Sequence, residues 1–169
     1  MIEVLLSRLN KSKEIDKIIL ATSDNPVNQV LADHVSKLGY PAYQGSENDV
    51  IDRYYQAALQ HNPDIIVRIT GDCPLIDPEI VDSVINAYRS ADVDYISNTN
   101  PPTYPDGLDV EVFSFAVLKV AWEEAREKHY REHVTPYIRE SGKFKIENIV
   151  SSVDYSKERW TVDEPEDQE

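Results

Sequence analysis

The run Asp64-Ile-Ile-Val-Arg-Ile-Thr70 constrains the fold more than any other stretch of this chain. It is rich in β-branched residues and nearly continuous in apolar character, so it reads as a strand covered on both faces and is the best candidate for a central strand. Cover of that kind comes from helices, and the rest of the chain supplies them. Ile2, Leu5, Leu6 and Leu9 recur at helical spacing, and a polar break from Lys11 to Asp16 leads into a short strand, Lys17 to Ala21. Asn25-Pro26 suits a helix start, and Val27, Val30, Leu31, Val35 and Leu38 form an apolar stripe that ends at Gly39. Pro41 to Tyr43 is a short strand candidate. Asp49 to His61 is helical by its spacing and is stopped by Asn62-Pro63.

Beyond the apolar run, Pro78 to Tyr88 reads as a helix and Asp94 to Ser97 as a strand. The Pro-rich stretch Asn100 to Gly107 is a loop before the strand Leu108 to Phe113. Helical spacing resumes from Phe115 to Lys128, and Arg131 to Glu140 is helical with an interruption at Pro136. Phe144 to Val150 and Arg159 to Val162 are the last strand candidates, and a further helix is able to start at Pro165. Strands alternating with helices of this length imply βαβ units and a mostly parallel, Rossmann-like sheet in three layers. Ligands of such sheets sit at the carboxyl ends of the strands.

Two carboxylates stand at those ends. Asp72 follows the long apolar run in Thr70-Gly-Asp-Cys-Pro-Leu-Ile-Asp77, where Gly71 permits a tight exit and Pro74 stiffens the loop. Asp163 follows the last strand candidate. A pair of this kind suits magnesium, which takes one or two protein oxygens and fills its octahedron with water and phosphate. Helix capping explains the same residue types.

Charge and composition narrow the function. The chain has 31 acidic and 17 basic residues, a formal net charge of −14, and no basic patch that would attract nucleic acid. Cys73 is the only cysteine, which excludes an internal disulfide and fits a reducing, cytoplasmic setting. No signal-peptide pattern or membrane-length apolar stretch is present, so no membrane association is expected.

Four ordered motifs carry a resemblance: Arg68 to Asp77, Tyr104 to Phe113, Arg131 to Ile138 and Arg159 to Asp167. They resemble the spore coat polysaccharide biosynthesis protein F family, which is similar to the acylneuraminate and 3-deoxy-manno-octulosonate cytidylyltransferases. The resemblance implies a nucleotide-diphospho-sugar transferase fold and transfer of CMP from CTP to a sugar hydroxyl, with Asp72 and Asp163 holding Mg2+. It also implies nucleotide contacts from Thr22, Ser23, Ser46 and Arg53, and sugar contacts from Asp106, Asp109, Glu111, Arg131 and His133. A homodimer is implied as well. Turn formation accounts equally for the residues of the two nucleotide loops, and alternating acids would also deter edge pairing at 106–111.

These families open with a strand and a Gly/Arg/Lys-rich loop before the first helix, whereas this sequence begins at that helix. The resemblance therefore implies a single truncated cytidylyltransferase-like domain over residues 1–169, with the first central strand missing, unpaired strand edges, and a chain that alone is marginal, oligomeric or inactive. A non-catalytic partner subunit and a sugar-binding module are the non-enzyme alternatives. His129-Tyr-Arg-Glu-His133 also fits H-x-x-E-H, the inverted zinc-peptidase pattern, with both histidines read on one helical face beside Glu132. No third ligand is singled out, and a plain exposed helix is the ordinary reading.

Overall fold

The structure, a computed structural model, describes residues 1–163 and Asp167. The helix start read at Pro165 lies outside the described residues. The elements are α1 (Ile2–Leu9), β1 (Leu20–Ser23), α2 (Gln29–Lys37), β2 (Ala42–Gly45), α3 (Val50–His61) and β3 (Ile65–Arg68). They continue with α4 (Pro78–Ser90), β4 (Tyr95–Ser97), β5 (Glu111–Ser114), α5 (Phe115–Glu124), α6 (Lys128–Glu132), α7 (Pro136–Glu140) and β6 (Ile146–Asn148). This is the expected mixed α/β order. β1 pairs with β2, and β4 with β6, in parallel. No described helix is long and apolar enough to cross a membrane.

The chain divides into two compact units, residues 1–16, 67–112 and 145–169 in the first and 17–66 and 113–144 in the second. In the first unit, α4 turns Val81, Val84 and Ile85 inward, and Tyr95 and Ile96 of β4 are equally buried. Asp77 caps α4 by accepting from the Glu79 amide at 2.8 Å, and Pro78 opens the helix where its missing N–H costs nothing. Leu5, Leu6 and Leu9 form the buried stripe of α1, and Arg8 Nε donates to the Ile76 carbonyl at 2.6 Å.

In the second unit, Val35 of α2 and Ile51 of α3 are wholly buried. Asp49 caps α3 through the Asp52 amide at 3.0 Å, and Asn62 ends it in the left-handed region at φ 48°. Tyr55 is stacked between two rings, with Trp122 at 4.1 Å and Phe115 at 5.6 Å between centroids, each inclined by 10°. The stack ties α3 to α5.

Several boundaries differ from the sequence reading. β1 starts at Leu20 instead of Lys17 because its first rung is the Leu20 amide on the Pro41 carbonyl at 2.9 Å, and the partner strand begins only at Ala42. The helix read from Phe115 to Lys128 ends at Glu124, where Ala125 turns extended at ψ 115°. Arg159 to Val162 forms no ladder. It makes one isolated bridge to Asp106 and a separate hydrogen bond from the Val162 amide to the Asp72 carbonyl. The apolar run 64–70 yields β3, which stands at the edge of the four-stranded sheet β3-β5-β4-β6 with all four residues partly exposed. β1 is likewise an outer strand of its two-stranded sheet.

Removing the central ring of the stack should cost the second unit most of its helix packing. Tyr55→Ala is expected to destabilise the protein by about 3–5 kcal/mol, as for other large aromatic truncations in cores. Urea unfolding would read this, and a loss near zero would show that the stack is incidental.

Candidate active site

In the first unit the chain leaves β3 through a tight turn, with the Cys73 amide donating to the Thr70 carbonyl at 3.3 Å. This turn carries Asp72, which is half-buried. The Val162 amide donates to the Asp72 carbonyl at 2.9 Å, so the segment ending in Asp163 lies directly against the turn. Asp163 is exposed; its carboxylate accepts from Thr161 Oγ1 at 2.8 Å and from Arg159 Nη1 at 3.0 Å.

Asp106 borders the same segment, through a parallel bridge to Arg159. Its amide donates to the Glu158 carbonyl at 3.0 Å and its carbonyl accepts from the Trp160 amide at 2.7 Å. Gly107 makes this approach possible: at φ +103° a Cβ would lie 2.7 Å from the Trp160 carbonyl carbon, which no other residue tolerates. Leu108 to Val110 then run along Asn98, a buried side chain that donates from Nδ2 to the Leu108 carbonyl at 2.7 Å and accepts from the Val110 amide at 2.8 Å. Asn98 thus fixes the backbone on both sides of Asp109.

Asp109 is pushed up to about 6 by burial first, and then by the negative charges of Asp106, Glu111 and Asp72, with Arg68 opposing. Asp106, Glu111 and Asp72 are therefore each close enough to Asp109 to repel its charge. Glu111 is buried and committed within the sheet: it accepts from the Tyr95 hydroxyl at 2.5 Å and pairs with Arg68. Burial also raises the Cys73 thiol to about 12, with further contributions from Asp72 and Asp109. A thiol so protected is no nucleophile at neutral pH.

In the second unit, Thr22 and Ser23 end β1, and Ser23 Oγ accepts from Asn28 Nδ2 at 2.6 Å. Gly45 ends β2 packed beneath the Tyr43 ring, where a Cβ would come within 2.7 Å of a ring carbon. Ser46 Oγ accepts from the Asp49 amide at 3.0 Å, and its carbonyl accepts from Arg53 Nη1 at 2.9 Å. Arg53 Nε is buried without a partner among the described residues. An orphaned donor of this kind at a strand-end loop is unusual.

Arg131 is also held internally, by Asp49 Oδ2 from Nε at 3.0 Å and Nη2 at 2.7 Å and by the Trp122 carbonyl from Nη1 at 2.7 Å. His133 is exposed and extended, at φ −130° and ψ 142°, because α6 ends at Glu132. The two histidines therefore do not share a helical face as the zinc-peptidase pattern requires; their rings meet edge-on at 5.5 Å, and Glu132 pairs with Lys128. Among the described residues no three Asp, Glu, His or Cys side chains are grouped to hold a metal. Sequence reasoning missed Asn98 and Gly107. The only local signal for Asn98 was a polar residue straight after a buried strand.

An α/β frame of this topology is that of the Rossmann-like nucleotidyltransferases. The match of residues 1–162 to the cytidylyltransferase family profile goes further: the chain belongs to that family. It is 43% identical over 141 residues to an uncharacterized protein of Methanocaldococcus jannaschii, covering 83% of this chain and 57% of that protein. It is 35% identical over 144 residues to the spore coat polysaccharide biosynthesis protein SpsF of Bacillus subtilis, covering 82% and 59%. The chain thus spans less than two thirds of the length of these relatives. A solved cytidylyltransferase from Leptospira borgpetersenii superposes with a TM-score of 0.92 at 34% identity, covering 99% of this chain and 71% of that one. CMP:2-keto-3-deoxy-manno-octonic acid synthetase complexed with CTP shares the fold, with a TM-score of 0.64 at 14% identity over 89% of this chain and 79% of that one.

The burial of Asp109, reinforced by the acids beside it, has a pH signature. Between its ordinary 3.8 and about 6, Asp109 binds more protons folded than unfolded, so its contribution to stability falls as pH rises through that window and stays lost above it. Asp109→Asn should therefore stabilise the protein above about pH 6 and flatten this part of the profile. Thermal midpoints measured across the window would test it, and an unchanged slope would contradict the assignment.

Proposed function

We propose that this chain carries the acid-bearing and nucleotide-contacting parts of an enzyme that transfers CMP from CTP to a sugar hydroxyl, releasing pyrophosphate, in surface polysaccharide synthesis. The observation that carries this reading is the 2.9 Å bond from the Val162 amide to the Asp72 carbonyl, which joins the two aspartate-bearing segments of the first unit. The family membership and the similarity to SpsF support the chemistry and its setting.

The residues fit magnesium. Asp72 and Asp163 offer only hard oxygen donors, and Asp109, raised first by burial and then by Asp106, Glu111 and Asp72, adds a further carboxyl near Asp72. A closed cage is not needed, because magnesium takes one or two carboxylates and leaves its other positions to water and phosphate. Asp72 and Asp163 would hold the ion, and when bound it would neutralise charge on the phosphates of CTP. Arg159 orients Asp163, donating from Nη1 at 3.0 Å. Asp106 and Asp109 accept hydrogen bonds from sugar hydroxyls, and a carboxyl titrating near 6 suits Asp109 to take a hydroxyl proton close to neutral pH.

Glu111 supports this face from within the sheet, while exposed His133 remains a sugar contact in this reading. Thr22, Ser23, Ser46 and Arg53 contact the nucleotide. The enzyme works in the cytoplasm as a homodimer.

Pyrophosphate release from CTP, with and without Mg2+ and across a panel of acidic sugars, tests the reading in this chain and in one extended at its N-terminus. Asp72→Asn should lower magnesium-dependent turnover by about 100-fold or more while leaving the thermal midpoint within a few degrees of wild type. Full activity in that variant, or no magnesium-dependent CTP turnover in either chain, would refute it.

A further inference from the structure

The loop between β2 and α3 is tied down by its own residues, by Arg53 and by the turn after β1, where Asn25 Nδ2 donates to Glu47 Oε2 at 2.9 Å. The Asp24 amide donates to the Gly45 carbonyl at 2.7 Å, the Asp49 amide to Ser46 Oγ at 3.0 Å, and Arg53 Nη1 to the Ser46 carbonyl at 2.9 Å. Arg131 reaches the same loop from 82 residues away. Its Nε and Nη2 both donate to Asp49 Oδ2, at 3.0 Å and 2.7 Å, while Asp49 Oδ1 accepts from the Asp52 amide that opens α3. One carboxylate therefore serves as both helix cap and anchor.

The anchor is itself fixed. Arg131 Nη1 donates to the Trp122 carbonyl at 2.7 Å, Trp122 Nε1 donates to Asp52 Oδ1 at 2.7 Å, and the indole is stacked on Tyr55. With side-chain exposures of 21% and 34%, Arg131 and Asp49 are shielded enough for their pair to hold a geometry that a surface pair would not. The guanidinium has spent three of its nitrogens on the protein, and its planar fork is what lets one side chain bind a carboxylate and a carbonyl together.

We propose that Arg131 is a positioning residue: acting through Asp49, it holds the Ser46–Asp49 loop in place, and it does not bind the sugar. The loop's part in nucleotide binding rests on the function proposed above, whereas the clamp rests on the contacts just described. Arg131→Lys keeps the charge but loses the fork, so it should behave like a deletion of the clamp.

The test uses the 169-residue chain in four forms: wild type, Arg131→Lys, Asp49→Asn and the double variant. Amide hydrogen exchange is followed at residues 46–52 with the α2 amides as internal reference, alongside CTP affinity by titration in Mg2+. Each single variant should raise exchange across the loop by about 10-fold with α2 unchanged, and the double variant should add little to either single one. CTP affinity should fall in parallel, and binding of an acidic sugar should not.

Wild-type exchange in the loop of the single variants, additive effects in the double variant, or an equal rise at α2 would overturn the proposal, the last by showing only general loosening. Lost sugar binding with an unchanged loop would overturn it in favour of direct contact. If wild type has no measurable CTP affinity but the loop opens in the variants, the clamp stands and the nucleotide reading fails.

Discussion

The buried carboxylate of Glu111 is the point on which the first unit depends. Arg68 of β3 and Tyr95 of β4 converge on it from the strands that flank β5, so one side chain joins three neighbouring strands of the sheet. Such an ion pair need not add net stability, but stripping away one partner leaves a buried charge that costs several kcal/mol, about 3–5 by general experience. The Arg68–Glu111 pair therefore helps to set β3 against β5. Asp109 and Asp106 lie just upstream on the same segment, and the geometry of the acid cluster follows from where Glu111 is pinned.

Much of the fold was legible because it is local. Asn25-Pro26 at the start of the second helical region, Asp49 before α3 and the apolar stripes of α1 and α3 all behave as capping and periodicity require. The run at 64–70 was recognisable as a strand for the same reason. Its position was not, because full cover was inferred from composition while the sheet leaves β3 at an edge. Asp72 and Asp163 could be read as strand-end acids, although Gly71, read as permitting the tight exit, has no positive φ and room for a Cβ.

What escaped the sequence depends on contacts distant along the chain. The strand expected at Arg159 to Val162 has suitable residues, but its neighbours are single carbonyls and amides of Asp106 and Asp72, so it runs extended without a ladder. Arg131 resembled a ligand residue in a polar motif; nothing nearby revealed an Asp49 partner 82 positions earlier. The histidine pattern failed because pattern matching assumes a continuous helix, and α6 stops after Glu132. Asn98 was invisible because replacing a strand rung with a side-chain amide leaves no periodic trace.

The attachment of residues 158–163 has a dynamic consequence. The segment is fastened by separate backbone bonds at Asp106 and Asp72, one region at a time, with Gly107 permitting the closest approach. A ladder melts cooperatively, whereas fastenings of this kind release singly, each at about the net worth of one hydrogen bond. Asp163 therefore hangs from a hinged strap instead of a rigid strand. The proposed cation site would then use a carboxylate carried on that strap, while the core of the first unit stays anchored at Glu111.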